Sequence, residues 1–520
     1  MQQLPIGIQT FKKIREENLL YVDKTKEIKD LIDMGDYYFI SRPRRFGKSL
    51  LVSTLKEIFC GNKELFKGLY IYDKHEWEEY PIIMISFSSI TYRQTKEVFS
   101  NEIVDKLVKI GESYNVKITG TSIISAFNEI IQELSKINKV VILIDEYDKP
   151  IIDYITDLEK AKENREILKE FYSTIKDNDQ YIKFCLLTGV SKFSKVSVFS
   201  GLNNLKDITL SEKFSTICGL TQKEVDDYFD DRLPWISEKL KLTKEELKEK
   251  IKLWYNGYSW DGKNKVYNPF SILNFFSDGQ FNNYWFSTGT PGFLIEKFKE
   301  SKTVIEDVKE VKAIDIFFDS FDLEFIDYKL LLFQTGYLTV KEFDVVNNLY
   351  TLSYPNKEVK DAFLAYIAST FTLRSPNDIG YIHYTLRIAL QTCDLELFFN
   401  YIRSIFAEIP FQLHVKAESY YHSLFYLIME LIGVNLTIER NTSKGRIDGV
   451  IEFEDKIYII EFKYLNEGKE VEKILDTAIK QIKTKEYYFP YIKKNKTIKY
   501  LAIAVNRDIV EYKVENHHKN

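Results

Sequence analysis

The chain has 520 residues, about three to four times the length of a usual domain, so several domains are expected rather than one core. Hydrophobic residues make up 45% and charged residues 29%, which excludes a disordered chain of low hydrophobicity. The 72 Lys and Arg against 77 Asp and Glu give a net charge of -5, which excludes a simple basic nucleic-acid coat. Any site for a polyanion must therefore be local.

The amino terminus is polar and has no signal-peptide pattern, and the longest apolar runs, such as 140–144, are too short to span a bilayer. The four cysteines form no CxxC pair and are far apart, at Cys60, Cys185, Cys218 and Cys393. Such spacing is typical of reduced thiols and argues against structural zinc. These features predict a soluble cytoplasmic protein that does not act at a membrane.

The first segment with recognisable chemistry joins an apolar run at 37–40 to a tight loop and a helical pattern. This order is typical of a P-loop, which surrounds phosphate with backbone N–H groups and adds a lysine and a hydroxyl that reaches Mg²⁺. Arg42 stands where the first glycine of that motif is expected, and a basic surface loop before an ordinary helix is the alternative. The loop residues predicted to bind ATP are Arg42, Pro43, Arg44, Arg45, Phe46, Gly47, Lys48 and Ser49.

A second segment favours the P-loop interpretation. Residues 140–144 form a continuous apolar run, typical of a strand buried on both faces of a parallel sheet, and the run ends in two acids. In a Walker B strand, Asp145 holds Mg²⁺ together with Ser49, and Glu146 orients or deprotonates the water that attacks the γ-phosphate. Glu146 is therefore the predicted catalytic residue of this site.

Apolar runs at 82–87 and 181–188 predict further strands, and an amphipathic pattern at 123–134 predicts a helix between them. In a doubly wound sheet the carboxyl ends of all these strands meet at one edge, where ligands bind. Thr188 at such an end is predicted to contact the γ-phosphate or position water. The alternative is a strand-terminal hydroxyl that only satisfies the backbone.

Several segments resemble the bacterial AAA-ATPase-like family, namely 4–11, 21–25, 42–49 and 199–205. In that family the loop has the form Arg-Pro-Arg-Arg-Phe-Gly-Lys-Ser, so the resemblance implies that the missing glycine does not inactivate the site. The loop is also similar to that of archaeal-type ATPases of the signal-transducing P-loop class. The resemblance covers nearly the whole chain and implies an α/β multidomain protein with a P-loop NTPase parallel sheet, a helical lid and a carboxyl-terminal nuclease-like domain.

Thr221 followed by Glu224 forms a capping box that predicts the start of the helical lid. Turn-rich segments at 254–259 and 267–272 resemble the family's approach to a winged-helix-like middle region, for which packing between domains is favoured over reading of DNA bases. The predicted domains are a P-loop ATPase-like domain at 1–220, a helical lid at 221–265, a winged-helix-like region at 266–370, a helical linker at 371–410 and a nuclease-like domain at 411–520.

The carboxyl-terminal region contains a predicted amphipathic helix that begins at Glu418 and a predicted hairpin of strands 445–451 and 456–464. The spacing of Asp448, Glu461 and Lys463 resembles that of the PD-(D/E)XK nuclease superfamily, although Ile447 stands where proline is usual. Phosphodiester hydrolysis needs a divalent metal to offset the developing charge, and carboxylates are suitable ligands for Mg²⁺ or Mn²⁺.

Asp448 and Glu461 are the predicted metal ligands, with the Phe462 carbonyl and Glu418 completing the set. Lys463 is predicted to stabilise charge or orient the nucleophile, so Asp448, Glu461 and Lys463 are the predicted catalytic residues. Gln481, on the next helix, matches a further position beside this centre in the superfamily. The alternative is a surface hairpin on which Glu461 and Lys463 form an ordinary pair on one face.

Together these features predict an ATP- and Mg²⁺-dependent protein whose nucleotide state regulates a nuclease acting on nucleic acid, DNA rather than RNA, with Mn²⁺ as a second metal for the nuclease site. A homo-oligomer or a protein partner is a further expected interaction. The alternative is a noncatalytic switch or scaffold in which ATP sets an assembly state and the carboxyl-terminal domain only docks a partner.

Overall fold

The computed structural model describes residues 1–192, 204–285, 310–319, 323–324, 327–372, 376–407, 425, 428–429, 432, 435–442, 445–453, 455–466, 469–506 and 509–517. They form two compact units. Unit 1 contains the described residues within Met1–Ser301 and Val308–Lys360, and unit 2 contains those within Asp361–Asn520. Of the helices in these ranges, none has both the length and the apolar character that crossing a membrane requires.

Unit 1 is built on a parallel sheet of five strands in the order β2-β3-β4-β1-β5. The strands are β1 Tyr37–Ser41, β2 Ile82–Ser86, β3 Val140–Asp145, β4 Ile182–Gly189 and β5 Lys206–Asp207. All six residues of β3 are buried, which explains the continuous apolar run in its sequence. Because β4 lies between β1 and β3, the ends of these three strands are adjacent.

Seven helices accompany this sheet: α1 Phe11–Glu16, α2 Thr25–Met34, α3 Lys48–Phe59, α4 Lys96–Ser113, α5 Ile123–Ser135, α6 Lys149–Ile152 and α7 Leu158–Asp177. Helix α3 packs on β3 and β4, and α5 packs on β3. The helix predicted at 123–134 is confirmed as α5. Its buried residues include Ala126, Ile130 and Leu134. The predicted α/β class, with its P-loop sheet, is confirmed.

The rest of unit 1 contains helices and two small antiparallel sheets. The helices are α8 Gln222–Phe229, α9 Leu233–Leu240, α10 Lys244–Tyr255, α11 Pro269–Asp278, α12 Asp315–Phe318, α13 Tyr328–Thr335 and α14 Lys357–Thr372, the last of which contains the boundary with unit 2. The strands are β6 Leu220–Thr221, β7 Asn256–Tyr258, β8 Val266–Tyr267, β9 Val311–Ala313, β10 Thr339–Asp344 and β11 Leu349–Ser353. The capping box of Thr221 and Glu224 is confirmed at the start of α8. The finer division into lid, winged-helix-like region and linker stays a prediction.

Unit 2 contains a mixed sheet of five strands in the order β12-β13-β14-β15-β16, of which only the pair β14 and β15 is parallel. The strands are β12 Asn435–Thr442, β13 Gly445–Glu452, β14 Lys456–Tyr464, β15 Thr497–Val505 and β16 Val510–Asn516, and the helices are α15 Pro376–Thr392, α16 Leu395–Ala407 and α17 Val471–Thr484. Helix α17 packs on β14, β15 and β16 through an apolar face that includes Leu475, Ile479 and Ile482. The predicted hairpin is confirmed as β13 and β14.

Candidate functional sites

The loop after β1 turns through two residues in the left-handed region, Arg45 with φ of 68° and Gly47 with φ of 88°. A Cβ atom at Gly47 would meet nothing within 4 Å, so the backbone conformation, and not space, favours glycine there. Helix α3 begins at the next residue, Lys48. The loop therefore ends at a helix amino terminus, where unpaired N–H groups favour bound anions.

Lys48 is buried, and its Nζ donates hydrogen bonds to the carbonyl oxygens of Arg42 at 2.8 Å and Pro43 at 3.0 Å. Burial lowers the pKa of Lys48, and the negative charges of Asp145 and Asp148 oppose that effect. Phosphate oxygens are stronger acceptors for an ammonium than neutral carbonyls are. The lysine thus fits a phosphate ligand held within the loop.

Asp145, at the end of β3, connects three elements of the sheet edge. Its Oδ2 accepts a hydrogen bond from the Ser49 hydroxyl at 2.6 Å, and its Oδ1 accepts one from the Thr188 hydroxyl at 2.5 Å. Ser49 belongs to α3 and Thr188 to β4. The structure therefore brings all three predicted residues together, and their hydroxyl and carboxylate oxygens are the donor types that Mg²⁺ prefers.

Glu146 follows Asp145 with a φ of 53°, a left-handed conformation that is uncommon for a residue other than glycine. Its backbone N–H donates to Asp145 Oδ1 at 3.1 Å. Burial raises the pKa of the Glu146 carboxyl, the charge of Asp145 raises it further, and Lys149 and Lys48 oppose the rise. A carboxylate of raised pKa is a better proton acceptor near neutral pH, as the predicted role requires.

Asp148 holds the turn that follows β4. Its carboxylate accepts hydrogen bonds from the backbone N–H of Val190 at 3.1 Å and of Ser191 at 2.6 Å. Burial raises its pKa, while the hydrogen bonds from Ser191 act in the opposite direction. The turn leaves no room for a side chain at Gly189, because a Cβ atom there would come within 2.5 Å of the Tyr147 ring. Asp148 thereby fixes the turn immediately after Thr188.

The side chain of Arg42 lies in the protein interior. It is 0% exposed, its Nη1 donates to the carbonyl oxygens of Ser41 at 2.9 Å and Thr209 at 2.8 Å, and its guanidinium lies 3.9 Å from the centroid of the Trp260 ring. Nη2 donates to the carbonyl of Phe214 at 3.3 Å. Burial lowers the pKa of Arg42 to about 10, so the group stays charged at neutral pH. The Arg42 N–H donates to the Gly189 carbonyl at 3.1 Å, so within the loop Arg42 contributes only the carbonyl that accepts from Lys48. Its side chain ties the loop to the 209–214 segment.

The remaining loop residues contact aromatic side chains of the middle region. The Phe46 ring meets Tyr258 edge-on at a centroid distance of 4.7 Å, and the exposed Arg45 guanidinium lies 4.9 Å from the Phe270 ring. The carbonyl of Arg44 accepts a hydrogen bond from Trp285 Nε1 at 3.1 Å. These contacts could not be predicted from the sequence, although Tyr258 and Phe270 lie in the turn-rich segments 254–259 and 267–272.

An apolar cavity of about 100 Å³ lies beside Gly47 in unit 1. Its lining comes from the amino-terminal segment, helix α3 and the chain around β6, and it includes Pro5, Tyr21, Leu50, Thr54 and Leu220. Cavities that are largely apolar with a few polar groups are typical of small-molecule sites. Its position next to the loop makes it a candidate site for the base of a nucleotide.

The carboxyl-terminal candidate site lies on the hairpin of β13 and β14. Asp448 Oδ2 accepts a hydrogen bond from the backbone N–H of Phe462 at 2.8 Å. Glu461 is 1% exposed, and its Oε1 lies 2.7 Å from the Nζ of Lys463, whose side chain is 27% exposed. The charged ends of Glu461 and Lys463 are therefore paired on one strand, close to the Asp448 carboxylate.

Tyr487, which follows α17, is buried in the apolar core of unit 2. Burial raises its pKa, the hydrogen bond from Gln481 lowers it, and the charges of Glu461 and Asp448 raise it. Tyr487 is thus a core residue whose ionisation is sensitive to the charges of the candidate site.

The predicted ligand Glu418 lies outside the described residues, and so does most of the helix predicted to begin there. Across the ranges that the structure describes, no three His, Cys, Asp or Glu side chains are grouped so that they could hold a metal. Asp448 and Glu461 are two oxygen ligands of the kind that Mg²⁺ or Mn²⁺ takes, so the described residues fit part of a metal site. The role of the Phe462 carbonyl stays a prediction.

Comparisons with known proteins define the class of both units. Residues 5–199 match a family model described as predicted AAA-ATPase, and residues 416–515 match the model of the PD-(D/E)XK nuclease superfamily. A protein of Azotobacter chroococcum mcd 1, described as an uncharacterized protein in vnfD 5'region, is 37% identical over 534 residues that cover 99% of each chain. No solved structure matches the chain.

The fold and these matches define a P-loop protein that also carries a nuclease-like domain. The chain belongs to the predicted AAA-ATPase family, in an arrangement with a carboxyl-terminal PD-(D/E)XK domain, and the Azotobacter protein is a relative over almost its full length. This confirms the resemblance inferred from the loop and from the Asp448, Glu461 and Lys463 spacing.

Replacing Arg42 by Met is expected to lower the free energy of unfolding of unit 1 by roughly 2–4 kcal/mol, because buried carbonyls lose their charged donor. The matched control is Arg15→Met, since the Arg15 guanidinium also donates to two carbonyls but at a site that water reaches, with an expected loss below about 1 kcal/mol. Urea unfolding followed by tryptophan fluorescence reports on unit 1, which holds all five tryptophans of the chain. Equal stability of Arg42→Met and wild type would contradict the structural role.

Proposed function

We propose that the protein binds and hydrolyses ATP at the P-loop and that its nucleotide state regulates a metal-dependent phosphodiesterase in unit 2. The observation that carries the proposal is the junction at Asp145, whose two carboxylate oxygens accept hydrogen bonds from Ser49 and Thr188. A Walker-type ATPase needs this combination of P-loop hydroxyl, strand-end carboxylate and neighbouring polar side chain at one sheet edge.

Each residue at this edge has a proposed task. Lys48 binds the terminal phosphates, and Ser49 and Asp145 hold Mg²⁺, directly or through water. Bound Mg²⁺ offsets negative charge on the phosphate oxygens. Glu146 orients the attacking water and accepts its proton, and Thr188 lies on the other oxygen of Asp145, where it can contact the γ-phosphate. The apolar cavity beside Gly47 supports a site for the adenine base.

In unit 2, the proposed task of Asp448 and Glu461 is to hold Mg²⁺ or Mn²⁺, while Lys463 stabilises the negative charge that develops on the scissile phosphate. The 2.7 Å pairing of Lys463 with Glu461 supports this proposal, because it places a cation beside a buried ligand. The superfamily match supports nucleic acid as the substrate class, and DNA is our proposed substrate.

A route for regulation starts at the P-loop itself. Trp285 donates from its indole to the Arg44 carbonyl at 3.1 Å and from its backbone N–H to Glu358 Oε1 at 2.8 Å. Glu358 is 0% exposed, its pKa is raised to about 7 by burial, and it lies on α14, the helix in which the chain passes from unit 1 to unit 2. A loop that moves with nucleotide would therefore act on the first turn of this helix.

For the ATPase, Glu146→Gln is expected to keep ATP affinity within a few fold and to lower the hydrolysis rate by about 10²–10⁴, because it removes the base but leaves the phosphate loop intact. Lys48→Ala is expected to weaken ATP binding at least about tenfold, since it removes the ammonium from the loop. Titration calorimetry and phosphate release measure the two effects.

The control for these two variants is Glu133→Gln, which removes an exposed carboxylate that pairs with Lys136. It should match wild type in both assays. If Glu146→Gln hydrolyses ATP as fast as wild type, the general base lies elsewhere. If Lys48→Ala binds ATP normally, the P-loop assignment fails.

For the nuclease, Asp448→Ala and Glu461→Ala are each expected to abolish cleavage and weaken Mn²⁺ binding, because each removes an oxygen ligand. Lys463→Ala is expected to suppress cleavage while Mn²⁺ affinity is largely kept, since lysine is not a ligand. ATP turnover should stay within a few fold of wild type in all three variants. Cleavage is measured on single- and double-stranded DNA and RNA, with and without ATP.

Glu472→Ala, which changes an exposed carboxylate on α17, is the matched control and should cleave like wild type. A wild-type protein that binds no Mn²⁺ and cuts none of these substrates in any nucleotide state would contradict the nuclease proposal. The noncatalytic switch or scaffold would then be the better account, because it needs ATP binding but no metal in unit 2.

A further inference from the structure

Cys393 occupies an unusual backbone position at the end of α15. Its φ is 63°, in the left-handed region that favours glycine. Its N–H donates to the carbonyl of Leu390 at 3.3 Å, and the N–H of Asp394 donates to the carbonyl of Ala389 at 2.8 Å. This pair of bonds ends a helix in the way that glycine usually does. A cysteine here costs conformational free energy, which favours a use for its side chain.

Two polar side chains of strand β14 converge on the Cys393 sulfur. Lys456 Nζ donates to Sγ at 3.3 Å, and the Tyr458 hydroxyl donates to it at 3.2 Å. The Lys456 side chain is only 9% exposed, so its ammonium is held in place. It also donates to the carbonyl of Gln391 at 2.7 Å. The thiol is thus one member of a Cys, Lys and Tyr cluster within unit 2.

The charges around the sulfur favour its ionised form. Burial alone raises the pKa of the Cys393 thiol, but the hydrogen bonds from Tyr458 and Lys456 and the positive charges of Lys456 and Lys499 outweigh burial and lower it. Among the described residues, two acids are neighbours of the cluster: Asp455, which pairs with Lys456 at 3.2 Å, and the exposed Asp394, which follows Cys393 in the chain. Cys393 is partly exposed and is flanked by exposed residues, so a small reagent can reach it.

The other three cysteines provide an internal comparison. Cys185 and Cys218 are buried, and burial raises the pKa of each. Cys60 is partly exposed like Cys393, but burial and the negative charge of Glu57 raise its pKa. Cys393 therefore differs from all of them in its charge environment, and from two of them in access.

We propose that Cys393 is a site of two-electron oxidation by peroxide, activated by Lys456 and Tyr458. In the step, the thiolate sulfur attacks one oxygen of hydrogen peroxide, an S–O bond forms and the O–O bond breaks. The sulfur is oxidised by two electrons to a sulfenic acid. The second peroxide oxygen leaves as hydroxide and takes up a proton to become water.

The test uses the full-length protein and measures each cysteine by peptide mass spectrometry. At neutral pH, iodoacetamide is expected to alkylate Cys393 several-fold faster than Cys60, because the pKa of Cys393 is lowered and that of Cys60 is raised, so that Cys393 holds the larger thiolate fraction. Hydrogen peroxide with a dimedone probe is expected to label Cys393 before the other three. A Cys393 that reacts no faster than Cys60 with either reagent would overturn the proposal.

Variants of Lys456 and Tyr458 distinguish activation of the Cys393 thiol by these neighbours from its simple accessibility to the reagent. Lys456→Met should slow alkylation of Cys393 several-fold and shift its pH profile to higher pH, whereas Lys456→Arg should restore most of the rate. Tyr458→Phe keeps the ring and should give a smaller loss, which serves as a second measurement if Lys456→Met does not fold. The control is Lys473→Met, which removes an ammonium that pairs with Glu470 on the surface. Unchanged Cys393 rates in folded Lys456→Met or in Tyr458→Phe would show that the cluster does not activate the thiol.

Discussion

The Asp145 carboxylate is the interaction on which the amino-terminal site depends. Its two oxygens bind the hydroxyls of Ser49 and Thr188, so one buried group fixes the start of helix α3 and the end of strand β4 relative to β3. The strand order makes this possible, because β4 lies between β1 and β3. The same oxygens are suited to Mg²⁺, so the structural junction and the proposed cofactor site coincide.

The sequence predicted the parts of this site that depend on local pattern. A strand buried on both faces must be apolar throughout, which identified β3, and the chemistry of phosphate binding identified Lys48 and Ser49. The orientation of Arg42 could not be predicted, because its partner Thr209 lies 167 residues later in the chain. The contact of Trp285 with the loop was hidden for the same reason.

In the carboxyl-terminal candidate site, too, local sequence pattern predicted some features, and contacts between distant residues could not be predicted. Motif spacing located Asp448, Glu461 and Lys463, since hairpin strands bring such positions together wherever the hairpin forms. The influence of Glu461 and Asp448 on the pKa of the buried Tyr487 could not be predicted, because it depends on residues from other parts of the chain. The environment of Cys393 likewise depends on Lys456, 63 residues away, which no local pattern indicates.

The most direct test of this account is the Mg²⁺ dependence of ATP binding by wild type and Asp145→Asn, measured by calorimetry with Mg²⁺ or with a chelator. Asparagine keeps the shape of the side chain but removes its negative charge. The account predicts that Mg²⁺ tightens ATP binding by wild type at least about tenfold and that Asp145→Asn loses this gain while it still binds metal-free ATP. An unchanged gain in Asp145→Asn would contradict the assignment of Asp145 as the Mg²⁺-holding residue.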